Sequence, residues 1–201
     1  MSRRAAFVDR DGTINRLVAD PVTGCPESPL RVDDVALLPG VAAGLCGLAK
    51  AGWLLVGVSN QPAAAKGTVA LPQLLQVQAR VLELLAEEGT RFDDFRLCLH
   101  HPDGVVPGLS GDCECRKPRP GMLLDASHAL GIDLAASWMI GDSDSDVAAG
   151  RAAGCGTILV EHPSSRHRRT GSVNPDAQAP SLTAAIAWIR RREQIQCSGG
   201  R

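Results

Sequence analysis

The feature that most constrains the fold of this 201-residue chain is its alternation of short apolar runs with longer helical patterns. Five apolar runs have the length of strands. They are Ala5 to Asp9, Trp53 to Ser59, Phe95 to Leu99, Trp138 to Ile140 and Thr157 to Val160. A regular alternation of strands and helices is the pattern of βα units. The sequence therefore predicts an α/β fold around a parallel sheet of about five strands.

The segments between these runs carry apolar residues at spacings of three and four, the period of an amphipathic helix. The predicted helices run from Pro39-Gly40 to Gly52, from Leu71 to Glu88, from Pro120-Gly121 to about Leu130, from Asp146 to Ala153 and from Ser181 to Arg192. A chain of this length is long enough for one domain with a core and short for two. We expect a single domain over residues 1–201, with a flexible tail after about residue 193.

Charge and hydropathy argue against two classes of partner. The formal net charge is −1, so the chain has no broad basic surface for nucleic acid or an anionic membrane. We expect the short basic runs at 166–169 and 190–192 to lie on the solvated surface. No apolar run reaches membrane-spanning length, and the first residues carry no signal-peptide pattern. These observations predict a cytoplasmic protein without a membrane partner and argue against nucleic acid as a partner. We expect the protein to be a monomer.

Polar residues with chemical potential follow the predicted strands, where ligands of open α/β sheets bind. Asp9 and Asp11 leave the first strand together and are followed by Gly12, which frees the backbone to turn. Two neighbouring carboxylates need a cation. The same pattern also occurs in turns and calcium loops. After the second strand, Ser59-Asn60-Gln61 offers a hydroxyl and two amides, although such a sequence is also common at helix caps and turns.

Two further segments carry charged residues next to a predicted strand or helix. Arg116 and Lys117 precede a predicted helix, whose N-terminal amide groups favour anions, so Lys117 is placed to neutralise a phosphate. A basic surface turn is the alternative for this segment. Gly141-Asp142 leaves the strand that begins at Trp138, and Asp142 offers a hard oxygen ligand for magnesium. Asp146 lies one helical turn further on.

Three of the seven cysteines are grouped around a loop at 98–115 that is rich in glycine. Cys98, Cys113 and Cys115, with an imidazole from His100 or His101, make a complete tetrahedral ligand set for zinc. Four ligands leave no open position, so the ion would be structural. In a reducing compartment this grouping favours a metal over disulfides, with an unmetallated Cys-x-Cys pair as the alternative.

In order and spacing, these segments resemble the four motifs of haloacid dehalogenase superfamily phosphatases. The motifs are Asp9-Arg10-Asp11-Gly12-Thr13, Ser59-Asn60-Gln61, Lys117-Pro118 and Gly141-Asp142 through Asp146. The match runs from about Phe7 to Gly154. The stretch from Cys113 to Met122 further resembles D-glycero-D-manno-heptose 1,7-bisphosphate phosphatases and their histidinol-phosphatase relatives. The resemblance implies a Rossmann-like sheet with helices on both faces, no large cap domain and a zinc-bound loop.

The resemblance also implies roles for single residues. Asp9 would be the nucleophile and Asp11 the general acid and base. Mg²⁺ would be held by Asp9, Asp142 and the backbone carbonyl of Asp11. The remaining implied roles are phosphoryl binding by Ser59 and Lys117, substrate recognition by Arg116, pocket lining by Asn60 and Gln61, support of Lys117 or of the metal ligands by Asp146, and zinc binding by Cys98, His100, Cys113 and Cys115.

The sequence departs from the heptose enzymes at positions that bear on the substrate. Arg16 to Pro21 replaces a stretch that contacts the sugar, Pro62-Ala63 follows Gln61 in place of Ser-Gly, and Ser143 stands where a lysine is frequent. The leading hypothesis is a magnesium-dependent phosphatase for a small sugar phosphate, with heptose 1,7-bisphosphate as the named candidate. Histidinol phosphate and a DNA 3′-phosphate are the alternative substrates. A non-enzymatic interaction module built around the zinc loop is the third hypothesis.

Overall fold

A computed structural model of the protein describes residues 3–21 and 23–198. Its strands are β1 (Ala5–Val8), β2 (Val18–Ala19), β3 (Pro26–Glu27), β4 (Leu54–Asn60), β5 (Asp94–Cys98), β6 (Trp138–Gly141), β7 (Gly156–Val160) and β8 (Ala177–Ala179). Six of them form one parallel sheet in the order β5-β4-β1-β6-β7-β8, and β2 pairs antiparallel with β3. The predicted parallel α/β architecture is confirmed. The sheet has one strand more than the five predicted, because β8 extends its edge beyond β7.

The helices are α1 (Val41–Lys50), α2 (Leu71–Glu87), α3 (Gly121–Leu130), α4 (Asp144–Ala153) and α5 (Leu182–Ser198). Helix α4 begins earlier than the predicted Asp146, because Ser143 and Asp146 form a capping box in which each side chain bonds the other's backbone N–H. Helix α5 continues past the predicted end at Arg192 to Ser198. The last part of the predicted tail, 199–201, lies outside the described residues.

Two hydrophobic clusters cover the two faces of the sheet. Successive residues of a strand point to opposite faces, so Phe7 of β1 joins the cluster formed with α3 and α4, and Val8 joins the cluster formed with α1, α2 and α5. Phe7 and Val8 are fully buried. Burial of a side chain of this size contributes about 1.5–3 kcal/mol. The strands are therefore held from both sides, and their carboxyl ends form a rigid edge.

The connection between β1 and β4 contains the β2–β3 hairpin, a 3₁₀ turn at Val32–Asp34 and α1. The described residues therefore contain no cap domain in this connection. None of the described helices is both long and apolar enough to cross a lipid bilayer.

Candidate active site

An open cleft of about 580 Å³ lies at the carboxyl ends of β1, β4 and β6. Its lining includes residues from all four motif segments. They are Asp9, Asp11, Ser59, Asn60, Gln61, Arg116, Lys117, Asp142 and Asp146. The structure thus brings together all nine residues that the sequence singled out for the catalytic, substrate and magnesium sites. The β2–β3 hairpin adds Glu27 to the mouth of the cleft.

A buried lysine connects two of the motif carboxylates. Lys117 is 3 % exposed, and its Nζ lies 2.6 Å from Oδ1 of Asp9 and 2.6 Å from Oδ1 of Asp146. It also donates to the backbone carbonyl of Val58 at 2.7 Å. The other oxygen of Asp146 accepts the Ser143 hydroxyl at 2.6 Å, so Asp146 caps α4 and holds Lys117 at once. Lys117 is therefore fixed beside Asp9.

Burial and ion pairing shift the pKa values of Asp9 and Lys117 in opposite directions. Burial raises the pKa of Asp9 to about 6, and the neighbouring Lys117 ammonium limits the rise. Burial alone would lower the pKa of Lys117, but the Asp146 and Asp9 carboxylates raise it above its ordinary value. Lys117 thus stays protonated at neutral pH. A protonated lysine beside a carboxylate at a cleft suits the binding of an anion that carries several oxygens.

Asp142 is a buried carboxylate without a hydrogen-bond partner. It is 1 % exposed, and neither of its oxygens accepts a hydrogen bond from the described part of the chain. Burial raises its pKa well above the ordinary value. Gly12, at φ +92°, lies so close that a Cβ there would come within 2.0 Å of Asp142 Oδ2. A buried carboxylate that accepts no hydrogen bond is costly, so this position fits a cation.

The carboxylates around this point form a candidate metal centre. Oxygens of Asp9, Asp142 and Asp146 all lie within 4.8 Å of one another, and all three residues are buried. Hard cations such as Mg²⁺ take carboxylate, carbonyl and water oxygens. The residues present therefore fit a divalent cation. Asp142 accepts no hydrogen bond within the described residues, and its nearest cationic side chain is Arg168, whose Nη1 lies 3.7 Å from its Oδ2.

Asp11 occupies a different environment from Asp9, although only one residue separates them. Its carboxylate accepts two hydrogen bonds from the fully buried Arg10, at 3.1 and 2.9 Å, one from Asn15 at 2.9 Å and one from Gln61 at 2.5 Å. Burial alone would raise the pKa of Asp11, but Arg10, Asn15 and Gln61 together hold it below the ordinary value. Asp11 is therefore ionised at neutral pH in this arrangement.

The segment after β4 contacts both the cleft and the lysine segment. Asn60 donates from Nδ2 to the carbonyl of Lys117 at 2.9 Å, and its Oδ1 accepts the Lys117 N–H at 3.1 Å. Gln61 donates to the hydroxyl of Ser59 at 2.9 Å as well as to Asp11. The expected pocket-lining positions are thus observed. Asn60 additionally holds the backbone that carries Lys117, a contact that its sequence position alone did not indicate.

The cysteine loop forms a second cluster beside the cleft. The Sγ atoms of Cys98, Cys113 and Cys115 lie 3.2–3.6 Å apart, and Nδ1 of His100 lies 3.4 Å from Cys115 and 4.0 Å from Cys98. His101 is turned elsewhere, because its Nδ1 accepts the N–H of Asp103. The geometry therefore selects His100 as the fourth member of a set that could hold a metal ion. Burial raises the pKa of the Cys98 and Cys115 thiols, so a cation is needed to keep them as thiolates.

Arg168 is a charged residue of the cleft that the sequence analysis did not identify. Arg168 belongs to the basic run at 166–169, for which we predicted a solvated surface position, and this was wrong for Arg168. Its side chain is 20 % exposed and lines the cleft beside Asp142. Within the run, Arg166 is exposed as predicted. No periodic signal separates the two, because the segment is a short 3₁₀ turn, Pro163–Arg168.

Comparisons with known proteins agree with the motifs. A family model for HAD-hydrolase-like proteins matches residues 114–185, the part of the chain that contains Lys117 and Asp142. Together, the parallel sheet, the buried carboxylates at its carboxyl edge and this match define the chain as a phosphatase of the haloacid dehalogenase superfamily.

Curated relatives assign the chain to a particular family within this superfamily. The chain is 39 % identical over 176 residues to D-glycero-beta-D-manno-heptose-1,7-bisphosphate 7-phosphatase of Photorhabdus laumondii, covering 87 % of this chain and 85 % of the relative. It is 34 % identical over 165 residues to the enzyme of the same organism named for the alpha anomer, covering 81 % and 86 %. The chain belongs to the heptose bisphosphate phosphatase family.

A solved structure supports the same grouping. The D,D-heptose 1,7-bisphosphate phosphatase from B. bronchiseptica, determined with magnesium and phosphate, superimposes with a TM-score of 0.77 at 28 % identity. The superposition covers 94 % of this chain and 99 % of that one.

Proposed function

We propose that this phosphatase hydrolyses the 7-phosphate of D-glycero-D-manno-heptose 1,7-bisphosphate through a phosphorylated aspartate at Asp9. The observation that carries the proposal is the buried pairing of Asp9 with Lys117 next to the Asp142 carboxylate, which accepts no hydrogen bond within the described residues. Phosphoryl transfer needs an aligned nucleophile and positive charge around the phosphoryl oxygens, and this cleft offers both. The names of the relatives supply the sugar.

Asp9 acts first as the nucleophile. A carboxylate oxygen of Asp9 attacks phosphorus, the bond from phosphorus to the sugar oxygen breaks, and an acyl phosphate forms. Lys117 and Ser59 bind the phosphoryl oxygens. Lys117 is already 2.6 Å from Asp9, so its ammonium needs little movement to contact a phosphate there.

Asp11 acts on both halves of the reaction. It protonates the departing sugar oxygen, and it then takes a proton from the water that attacks the acyl phosphate and releases inorganic phosphate. The ionised state that Arg10 favours suits the second half. Protonation for the first half is favoured by a bound phosphate, whose negative charge raises the pKa of a neighbouring carboxyl.

Asp9, Asp142 and the backbone carbonyl of Asp11 would hold Mg²⁺, which when bound would neutralise the repulsion between the anionic nucleophile and the anionic phosphate. Asp146 holds Lys117 in place beside Asp9. Arg116 and Gln61 contact the substrate from the side of the cleft formed after β4 and before α3.

The cysteine loop is proposed to bind one structural zinc ion through Cys98, His100, Cys113 and Cys115. A tetrahedral site with zinc–sulfur bonds of about 2.3 Å requires sulfur atoms roughly 3.8 Å apart, close to the spacing in this cluster. Arg116 follows the last ligand directly and donates to the carbonyl of His100 at 3.3 Å. Zinc therefore orders the loop that presents Arg116 and Lys117 to the cleft.

We further propose that residues 1–201 act as one domain, as a monomer in the cytoplasm. The described cysteines outside the cluster, Cys25, Cys46 and Cys155, are free thiols, which suits a reducing compartment. The main contacts between elements run through the six-stranded sheet and its two covering layers.

The test is a substrate panel scored by phosphate release, with Mg²⁺ and then with a chelator. The panel contains both anomers of heptose 1,7-bisphosphate, histidinol phosphate and a 3′-phosphorylated DNA oligonucleotide. We expect hydrolysis of a heptose bisphosphate that is lost with chelator. Release from histidinol phosphate or DNA at a higher kcat/KM would assign another substrate.

Asp9→Asn tests the nucleophile within the same panel. We expect kcat to fall by more than about a thousandfold, because an amide cannot form the acyl phosphate. The matched control is Asp33→Asn, whose side chain is 86 % exposed and lies outside the cleft, and it should retain full activity. Substantial turnover by pure Asp9→Asn protein would exclude the mechanism.

A further inference from the structure

Arg168 enters the active-site cleft from an element that contains none of the sequence motifs. It ends the 3₁₀ segment that follows β7. Its Nη1 donates to the backbone carbonyl of Asp11 at 2.8 Å. Two carboxylates lie further away, Asp142 at 3.7 Å from Nη1 and Glu27 at 3.8 Å from Nη2. Both of these distances exceed that of a hydrogen bond.

The guanidinium of Arg168 has unused hydrogen-bonding capacity. An arginine carries five N–H donors in a planar fork, and within the described residues only the Asp11 carbonyl accepts from this one at hydrogen-bond distance. The side chain is four-fifths buried and lines the cleft, so bulk water is a limited source of acceptors. Asp142 and Glu27 lie at ion-pair distance from the guanidinium but accept no hydrogen bond from it, so its remaining N–H donors are available to an anion that enters the cleft.

The backbone that carries Arg168 is fixed on the C-terminal side. Arg169 donates to the buried hydroxyl of Ser165 at 2.9 Å, which closes the turn. Thr170 donates from its hydroxyl to Asp144 at the start of α4 at 2.6 Å. Arg168 is therefore presented by a built segment rather than by a free loop.

Arg168 and Lys117 contact different residues of the cleft. Lys117 lies on Asp9, where the transferred phosphoryl group must sit, whereas Arg168 lies on the Asp11 carbonyl and faces the hairpin at Glu27. Ser143, the residue after Asp142, carries no charge and is used to cap α4. Two cations in separate parts of one cleft suit a substrate that carries two anionic groups.

We propose that Arg168 binds the phosphate group that is not hydrolysed, and that it gives the enzyme its preference for a bisphosphate over a monophosphate. This inference rests on the proposed function. The planar fork matches two oxygens of one phosphate. The Glu27 contact is long and its side chain is 56 % exposed, so a phosphate can replace Glu27 as the partner of Arg168.

The experiment compares heptose 1,7-bisphosphate with heptose 7-phosphate at saturating Mg²⁺. In Arg168→Gln we expect KM for the bisphosphate to rise about tenfold to a hundredfold relative to KM for the monophosphate, the range for a charged hydrogen bond. The matched control is Arg166→Gln, an exposed cation of the same turn, which should behave as wild type with both substrates.

A binding measurement separates this inference from the proposed function. Calorimetry in the Asp9→Asn background should show that Arg168→Gln weakens binding of the bisphosphate about tenfold to a hundredfold more than binding of the monophosphate. Equal weakening for both substrates, or a change in Mg²⁺ affinity with the bisphosphate preference intact, would overturn the role of Arg168. Failure of the wild-type enzyme to hydrolyse either substrate would instead overturn the proposed function.

Discussion

Asp9 and Asp11 come from one short motif, but their pKa values are shifted in opposite directions. Burial raises the pKa of Asp9 to about 6, whereas Arg10, Asn15 and Gln61 hold the pKa of Asp11 below its ordinary value despite its burial. Carboxyl groups in one site take different roles when their environments separate their pKa values. The motif predicted that both residues are at the site. The difference between them comes from side chains whose contacts only the fold establishes.

Asp11→Asn is the prediction that tests this division of roles. With a sugar phosphate, whose leaving oxygen must be protonated, we expect kcat/KM to fall by about 10²- to 10⁴-fold. With an activated aryl phosphate, whose phenolate leaves without protonation, the loss should be much smaller. Steady-state kinetics on both substrates provides the measurement. Equal losses would argue against the general-acid role.

The comparison of two substrates also controls for folding. Asp11→Asn removes the charge partner of Arg10, which is fully buried, and breaking a buried ion pair costs about 3–5 kcal/mol. The variant should therefore melt at a lower temperature than wild type. The ratio of kcat/KM between the two substrates does not depend on the fraction of folded protein, so it reports the chemistry alone.

At the scale of elements, the loop from Cys98 to Cys115 is predicted to depend on its metal. Cys113→Ser should lose about one zinc per chain by elemental analysis and should lower the melting temperature, because the loop has little apolar packing of its own. KM should rise more than kcat falls, since Arg116 and Lys117 follow the last ligand and lose their fixed position.

The matched control is Cys25→Ser, an exposed cysteine outside the cluster. It should keep its zinc, its melting temperature and its kinetics. Cys113→Ser protein with unchanged melting and unchanged KM would show that the cluster has no structural role. A lower melting temperature with wild-type kinetics would confine the ion to stability.

The elements also show which signals a sequence carries. The four central strands of the sheet are largely buried apolar runs, and β5 at one edge is partly buried; each of these five strands was predicted within one or two residues of its observed bounds. Strand β8 is only Ala177-Gln178-Ala179, with no apolar run to mark it. It forms because β7 offers an edge, and because Asp176 accepts the N–H and the hydroxyl of Thr157 at 2.8 Å. The local sequence of β8 carries no signal that such a sheet edge is available for pairing.

The same reasoning applies to the site. The motif residues were predictable because each follows a recognisable strand or precedes a helix. Arg168 was not, because the basic run 166–169 has the same composition as a solvated surface segment. Its position follows from the turn that Arg169 and Ser165 close, and from a cleft that is rich in carboxylates. Long-range contacts of this kind have no local pattern.

At the scale of the whole molecule, the buried carboxylates of the cleft lower the stability of the fold and are retained for function. Asp9, Asp142 and Asp146 are buried together, and Asp142 has no hydrogen-bond partner within the described residues. Unpaired buried charge destabilises a fold, and active sites are where proteins retain such groups. The apolar layers on both faces of the sheet offset this cost.

Asp142→Asn tests whether the buried charge of Asp142 lowers the stability of the fold. Measured in chelator at neutral pH, the variant should be more stable than wild type by about 1–3 kcal/mol, which corresponds to a rise of roughly 2–12 °C in melting temperature. Wild-type protein should gain about 2.7 kcal/mol from Mg²⁺ at a hundred times its Kd, and the variant should gain little, because it lacks this ligand. The variant should also be inactive.

The stability difference in chelator should depend on pH with a fixed sign. Burial raises the pKa of Asp142 in the folded state, so the unfolded chain ionises first as the pH rises through the ordinary carboxyl pKa of about 4. Below that pH the carboxyl is protonated in both states and carries no ionisation penalty. The advantage of Asp142→Asn should therefore be smallest near pH 4 and should grow toward neutral pH, as followed by thermal melts across this range. An advantage that is independent of pH, or one that grows as the pH falls, would show that the charge of Asp142 is not the source of the instability.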